Sequence, residues 1–203
     1  MRALLVPVKS FRLAKIRLAE VLNEEERGRL ARELAEIVVS AAHGTPVYVA
    51  CDDGEVADWA VTRGATVLYA PGLELSPAVE AGVRHLAEEG FSLAVVAHAD
   101  LPLVSDLSGF GSPSEVTLAP DRRRDGTNVA GVPTEVGFRF SYGPGSFHRH
   151  LAEAARLGLH CTIVDDPRLS SDVDLPVDLA LMSRLSTQPP TRTTAEPTKG
   201  EQP

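Results

Sequence analysis

Ser92-Leu93-Ala94-Val95-Val96-Ala97-His98-Ala99-Asp100 is the stretch that decides the fold. Its first six residues form a short apolar run that opens just after Gly90 and closes on His98 and Asp100. A run of that length without polar alternation predicts a strand buried on both faces, at the centre of a sheet. Working outward, the same kind of run recurs at Ala3 to Val8, Pro46 to Ala50 and Thr66 to Tyr69. Helical stretches separate these runs. Glu24 to Ala42 carries Leu30, Leu34, Ile37, Val38 and Ala41 at helical spacing, and Gly44 closes it. Glu55 to Thr62 reads as a short helix. Ser76-Pro77 predicts a helix start, with a hydroxyl cap before a proline, and Gly90 predicts its end after Glu89. This rhythm predicts an α/β fold with a three-layer, mostly parallel sheet.

The second half has another texture. Val116 to Ala119, Asn128 to Val132 and Phe138 to Tyr142 read as short strands without long helices between them, which fits antiparallel additions at a sheet edge. Ser146 to Leu157 predicts a helix, Cys161 to Val164 a strand and Pro176 to Leu185 a last helix. Ser186 to Pro203 is rich in Pro, Thr and charge, and is expected to be a disordered tail behind a single domain over 1–185.

The chain has 203 residues, 43% hydrophobic and 24% charged, enough for one domain with a sizeable core. A net charge of -8 argues against nucleic acid or an anionic membrane as partner, because both would repel it. Two cysteines, Cys51 and Cys161, are too few for a disulfide scaffold and too far apart for a zinc clip, so both are expected reduced and buried. The opening MRALLVPVKS lacks the length and cleavage site of a signal peptide. The expected class is a soluble cytoplasmic protein.

Ligands of open parallel sheets bind at the carboxyl ends of strands. After the first strand comes Lys9-Ser10-Phe11-Arg12-Leu13-Ala14-Lys15-Ile16-Arg17, with no glycine fingerprint for a dinucleotide or a Walker loop. Its four cations, Lys9, Arg12, Lys15 and Arg17, suit a polyphosphate; alone, they equally suit the solvated face of an amphipathic helix. Asp100 ends the central strand, where a carboxylate either caps a turn or holds magnesium against phosphate oxygens. His98 lies beside it, as a packed or a working histidine. The loop Asp121-Arg122-Arg123-Arg124-Asp125-Gly126-Thr127-Asn128 offers short hydrogen-bonding groups after a glycine, or is simply a solvated loop. Gly143-Pro144-Gly145-Ser146 precedes a helix whose free N–H groups could take an anion, or whose serine merely caps it. Asp172-Val173-Asp174 places alternate carboxylates on one side of an extended segment, either to share a cation with Asp100 or to cap the next helix.

Taken together and in order, these segments resemble the 2-phospho-L-lactate guanylyltransferase family, which includes the phosphoenolpyruvate guanylyltransferases of coenzyme F-420 biosynthesis. The resemblance runs over about residues 1 to 184 and rests on VPVKSFRLAKIRLA, ADLPLV, DGTN, GPGSFHRH and DVDLPVDL. It implies a nucleotidyltransferase fold of the nucleotide-diphospho-sugar transferase kind. It implies GTP and a phosphorylated three-carbon acid as substrates, pyrophosphate as a product and Mg2+ as cofactor. By resemblance, Thr127, Gly143 and Ser146 hold the acid, Asp100 and Asp172 hold the metal, and Lys9, Lys15 and Arg17 serve the GTP phosphates. The family commonly carries Leu-Asn-x-Ala-Val where this chain has Leu75-Ser76-Pro77-Ala78-Val79. A homodimer is compatible with the resemblance. Another NTP-dependent nucleotidyltransferase, a glycosyltransferase of related fold and a non-catalytic nucleotide-binding module are the competing expectations.

Overall fold

The structure, a computed structural model, describes residues 1–179. Strand β1 (Arg2–Pro7) is followed by a 3-10 turn (Ile16–Leu18) and helix α1 (Glu24–Ser40). Then come β2 (Val47–Cys51), α2 (Gly54–Thr62), β3 (Thr66–Tyr69), α3 (Leu75–Glu88) and β4 (Leu93–Ala97). The second half holds β5 (Val116–Pro120), β6 (Thr127–Pro133), α4 (Ser146–Arg156), β7 (Cys161–Ile163) and the short α5 (Pro167–Ser170). All seven strands form one sheet, in the order β3-β2-β1-β4-β6-β5-β7, so β4 is central as its sequence predicts.

Period-two alternation sends Leu4 and Val6 to one face of the sheet and Ala3 and Leu5 to the other. On the first face β1, β2 and β4 pack against Ala35 and Val38 of α1 and Val56, Trp59 and Ala60 of α2. On the second they pack against Val79, Val83 and Leu86 of α3, while β5 and β6 pack against Phe147 and Ala154 of α4. Gly82 lies inside α3 because a Cβ there would stand 2.7 Å from a methyl of Leu5. The missing side chain lets the helix approach the sheet closely. Helix α1 begins with a capping box: Asn23 accepts from the Glu26 amide, and Glu26 accepts from the Asn23 amide.

The antiparallel strand is not at the edge. β6 lies between β4 and β5, antiparallel to both, while β7 closes the edge parallel to β5. This placement positions the site. Because β6 runs against its neighbours, its first residues stand beside the carboxyl end of β4, and His98 N–H donates to the Asn128 carbonyl at 2.9 Å.

Three other expectations are corrected. Phe138 to Tyr142 is not a strand, because its amides donate to side chains rather than to a neighbouring strand. Arg139 donates to Glu153, Phe140 to Glu80, Ser141 to His150 and Tyr142 to Ser76. Ser76 is therefore not the helix cap; Glu74 holds that position, and the Ser76 hydroxyl anchors this segment instead. Cys51 is buried, but Cys161 is only half-buried; both are free. A helical turn occupies 176–179. The remainder of the last predicted helix and the tail from Ser186 to Pro203 lie outside the described residues. Among the described residues, no helix is long and apolar enough to cross a membrane.

Candidate active site

The carboxyl ends of β1, β2 and β4 open onto a cavity of about 330 Å³. Its walls are mostly small and apolar: Pro7, Ala14, Ala50, Ala70 and Ala78. Lys9 and Ser10 of the loop after β1 also line it. A second cavity of about 230 Å³ adjoins it, lined by Arg17, Asp121, Arg122, Arg123, Thr127, Gly143, Ser146 and Asp172 among others. The two cavities share His98, Asp100 and Asp174.

At this junction Lys15 is the central charge. Its backbone is left-handed, with φ 54°, uncommon for a residue with a side chain. Its ammonium donates to Asp100 Oδ2 at 2.7 Å and to Asp174 Oδ1 at 3.1 Å, and its side chain is only 9% exposed. Burial opposes charge on Lys15, but the two carboxylates outweigh it and raise its pKa above the usual value. Burial likewise opposes charge on Asp100; Lys15, then His98, outweigh it and hold the carboxyl below the usual range. Asp172 goes the other way. Burial, then the charge of Asp100, push its pKa up. Two half-buried carboxylates that repel each other are a site that favours a further cation.

Asp172 and Asp174 reach the junction because the segment between α5 and the last turn docks on the β4 end. Val173 N–H donates to the Asp100 carbonyl at 3.2 Å, and the Val173 side chain packs beside Leu18 and Leu34. The alternation expected from spacing then turns both neighbouring carboxylates to the cavity. Asp178 fixes the segment by accepting from the amides of Asp174 and Leu175 and pairing with Arg122.

Asp100 Oδ1 is buried and has no hydrogen-bond partner. An acceptor left in that state fits a hard cation. Among the described residues no three His, Cys, Asp or Glu side chains form a ready metal cage. Magnesium commonly takes one or two carboxylates and completes its shell with substrate phosphates and water, and Asp100 and Asp172 are the carboxylates that could supply them.

The second cavity is built from groups that first bind one another. Ser146 opens α4, and its hydroxyl accepts from the Thr127 amide at 3.1 Å. The Thr127 hydroxyl lies 3.0 Å from His150 Nδ1. The helix amides expected to meet an anion are already used: Ser146 N–H donates to the Gly143 carbonyl and Phe147 N–H to the Asp125 carbonyl. The donors that α4 and the strand before it offer the cavity are therefore the Ser146 and Thr127 hydroxyls, beside the arginines of the rim. Gly143 has φ 104°, which a residue with a Cβ rarely adopts, and Arg149 ties the carbonyls of Ser141 and Pro144 around it.

Residues 1–184 match the family model described as guanylyl transferase CofC like. This chain belongs to that guanylyl transferase family. A phosphoenolpyruvate guanylyltransferase from Rubrobacter xylanophilus is 36% identical over 184 residues, covering 86% of this chain and 90% of the relative. A 2-phospho-L-lactate guanylyltransferase from Methanothermobacter thermautotrophicus is 32% identical over 184 residues, covering 86% and 81%. Among solved structures, a nucleotide-diphospho-sugar transferase from Desulfovibrio desulfuricans G20 superposes with a TM-score of 0.73 at 16% identity, covering 96% of this chain and 91% of that one. At that identity the likeness concerns the fold, and it bears out the expected fold class.

In this guanylyl transferase, the residues expected from sequence divide between the cavities. Lys9 lines the first and is 66% exposed, while Arg17 lines the second and is 67% exposed. Lys15 is held between them by carboxylates. Asp100 lines both, and Thr127, Gly143, Ser146 and Asp172 all line the second. The three arginines of the 122–124 run separate: Arg122 pairs with Asp178, Arg124 turns away to Asp165, and Arg123 lines the second cavity. Sequence reasoning assigned no role to His150, Arg149 or Glu80. Only the HRH in GPGSFHRH hinted at the first two.

Proposed function

We propose that this chain joins GTP to phosphoenolpyruvate, releasing pyrophosphate. The single observation that carries the reading is the pair of adjoining cavities meeting at Asp100, His98 and Asp174. The first suits a flat nucleobase and ribose between small apolar walls, with Lys9 at its phosphate end. The second, with hydroxyls and arginines around its rim, suits a small anionic acid. The names of the relatives support the guanylyl donor and phosphoenolpyruvate as the acid.

In this reading a phosphate oxygen of the acid attacks the α-phosphorus of GTP, and pyrophosphate leaves in line. The nucleophile is already ionised, so the protein needs no strong base; it positions and neutralises. Lys9 holds the departing phosphates. Arg17 and Arg123 draw the acid's phosphate to the junction, and Thr127 and Ser146 orient its carboxylate. Lys15 balances the junction carboxylates and offers its ammonium to phosphate when substrates arrive. Asp100 and Asp172 would hold magnesium, which when bound neutralises phosphate charge and aligns the reacting oxygens.

Pyrophosphate release tests this reading, with GTP, CTP, ATP and UTP each paired with phosphoenolpyruvate, 2-phospho-L-lactate and 3-phosphoglycerate. GTP with phosphoenolpyruvate should give the highest kcat/KM. Preference for another nucleotide would move the chain to a different transferase class. Release of a nucleoside diphosphate from a nucleotide sugar would make it a glycosyltransferase.

A further inference from the structure

His150 is wholly buried, lies outside the reacting centre and has both ring nitrogens engaged. The Ser141 backbone N–H points at Nε2, 2.9 Å away. A backbone amide can only donate, so Nε2 must be the bare, accepting nitrogen. A neutral imidazole carries one proton, which must then sit on Nδ1. Nδ1 is 3.0 Å from Thr127 Oγ1 and therefore donates to it. Phe138, Phe140 and Tyr142 surround the ring, with centroids 5.7, 5.8 and 5.1 Å away, so it cannot readily turn over.

The consequence falls on Thr127. Its oxygen accepts a hydrogen bond from His150, so its own proton must point elsewhere, and no acceptor for it stands among the described residues. The same logic holds for Ser146, whose hydroxyl already accepts the Thr127 amide proton. Both residues line the second cavity, and each hydroxyl has one acceptor position engaged and its own proton free to donate.

We propose that His150 is a positioning residue that, as the Nδ1–H tautomer, donates to the Thr127 oxygen and so leaves the Thr127 hydroxyl proton to point toward the acid substrate. The inference rests on the reading of the second cavity as the acid site and deepens it. Two hydroxyl donors side by side suit a strong, charged acceptor such as a carboxylate.

Two measurements test it. In a long-range 1H–15N spectrum of the full chain, the His150 ring should show a protonated Nδ1 and a bare Nε2. The reverse assignment overturns the proposal. The second measurement is a double-mutant cycle on the acid's KM. Thr127→Val should raise it about tenfold, as expected for losing a hydrogen bond to a charged group. His150→Leu should raise it several-fold, with the GTP KM unchanged. The double variant should be no worse than Thr127→Val alone, because His150 acts through Thr127. His150→Asn, which keeps a donor near the Nδ1 position, should retain most of the affinity and covers the case in which the leucine variant does not fold. If the two effects multiply, His150 does not work through Thr127 and this inference alone fails. If Thr127→Val leaves the acid's KM unmoved, the acid-site reading fails and takes the inference with it.

Discussion

The two adjoining cavities are made in different ways. The first is formed by topology: three parallel strands end together, and alanines and a proline leave room between them. The second is formed by polar side chains that hold one another and the backbone, with the His150 ring on the Thr127 hydroxyl, the Ser146 hydroxyl on the Thr127 amide and Arg149 on the carbonyls of the glycine loop. A cavity of the first kind asks little of any single residue beyond small size. One of the second kind depends on each member, because every hydroxyl's orientation is set by its neighbour. The nucleotide side should therefore tolerate polar changes and fail on bulk. The acid side should tolerate little polar change.

The largest effect should come at the shared wall. Asp100→Asn keeps volume but removes the charge that faces both cavities, and kcat should fall about 10²–10³-fold. It also leaves the Lys15 ammonium with Asp174 alone. The melting temperature should drop, by less than the ~3–5 kcal/mol equivalent of a fully orphaned buried charge. Initial rates and thermal melts check both halves. A variant that turned over normally at limiting magnesium would make Asp100 a structural residue.

Substitutions on either side should then separate the substrates. Ala78→Leu projects bulk into the first cavity and should raise the GTP KM about tenfold, with the acid's KM unchanged. Ser146→Ala should do the opposite, raising only the acid's KM by a similar factor. Gly143→Val should harm the acid side more. A Cβ there meets nothing within 4 Å, so the damage comes from the positive φ and not from crowding. Parallel titrations of GTP and acid decide it; equal losses for both substrates would erase the distinction between the cavities.

That distinction also governs what could be read from the sequence. Strands β1 to β4 and their helices were legible because topology leaves a periodic apolar trace, and Asp100 followed from the end of the central run. The acid side left little trace. Phe138 to Tyr142 has strand composition, yet its amides go to Glu80, Ser76, Glu153 and His150, partners distant in sequence or on another element. β6 looked like an edge strand, but short strands without intervening helices carry no signal of where they insert. Asp172 and Asp174 were placed correctly on one side by alternation. That Lys15 would bridge Asp174 to Asp100 depends on a left-handed backbone at Lys15, which the residue type does not announce.

The smallest effect concerns stability and probes the acid side without any substrate. Burial first, then the charge of Arg149, lower the His150 pKa from 6.5 to about 4. Between those values the unfolded chain holds one more proton at this residue than the folded chain, so stability must fall as the pH falls. The contribution is fully present above the unfolded value and is lost progressively as the pH drops toward and through about 4. From about pH 7.5 to about pH 5.5 the loss should be about 1 kcal/mol. Asp100 and Asp178, also held below their usual range, add a slope of the same sign at lower pH, where carboxylates titrate. His150→Asn removes only the histidine part, so urea unfolding of both proteins across this range isolates it. The wild type should lose about 1 kcal/mol more than the variant. Parallel pH profiles would mean that the ring takes up a proton in the folded state, which requires Nε2 to be released from Ser141 and the acid cavity to be far looser than its hydrogen bonds indicate.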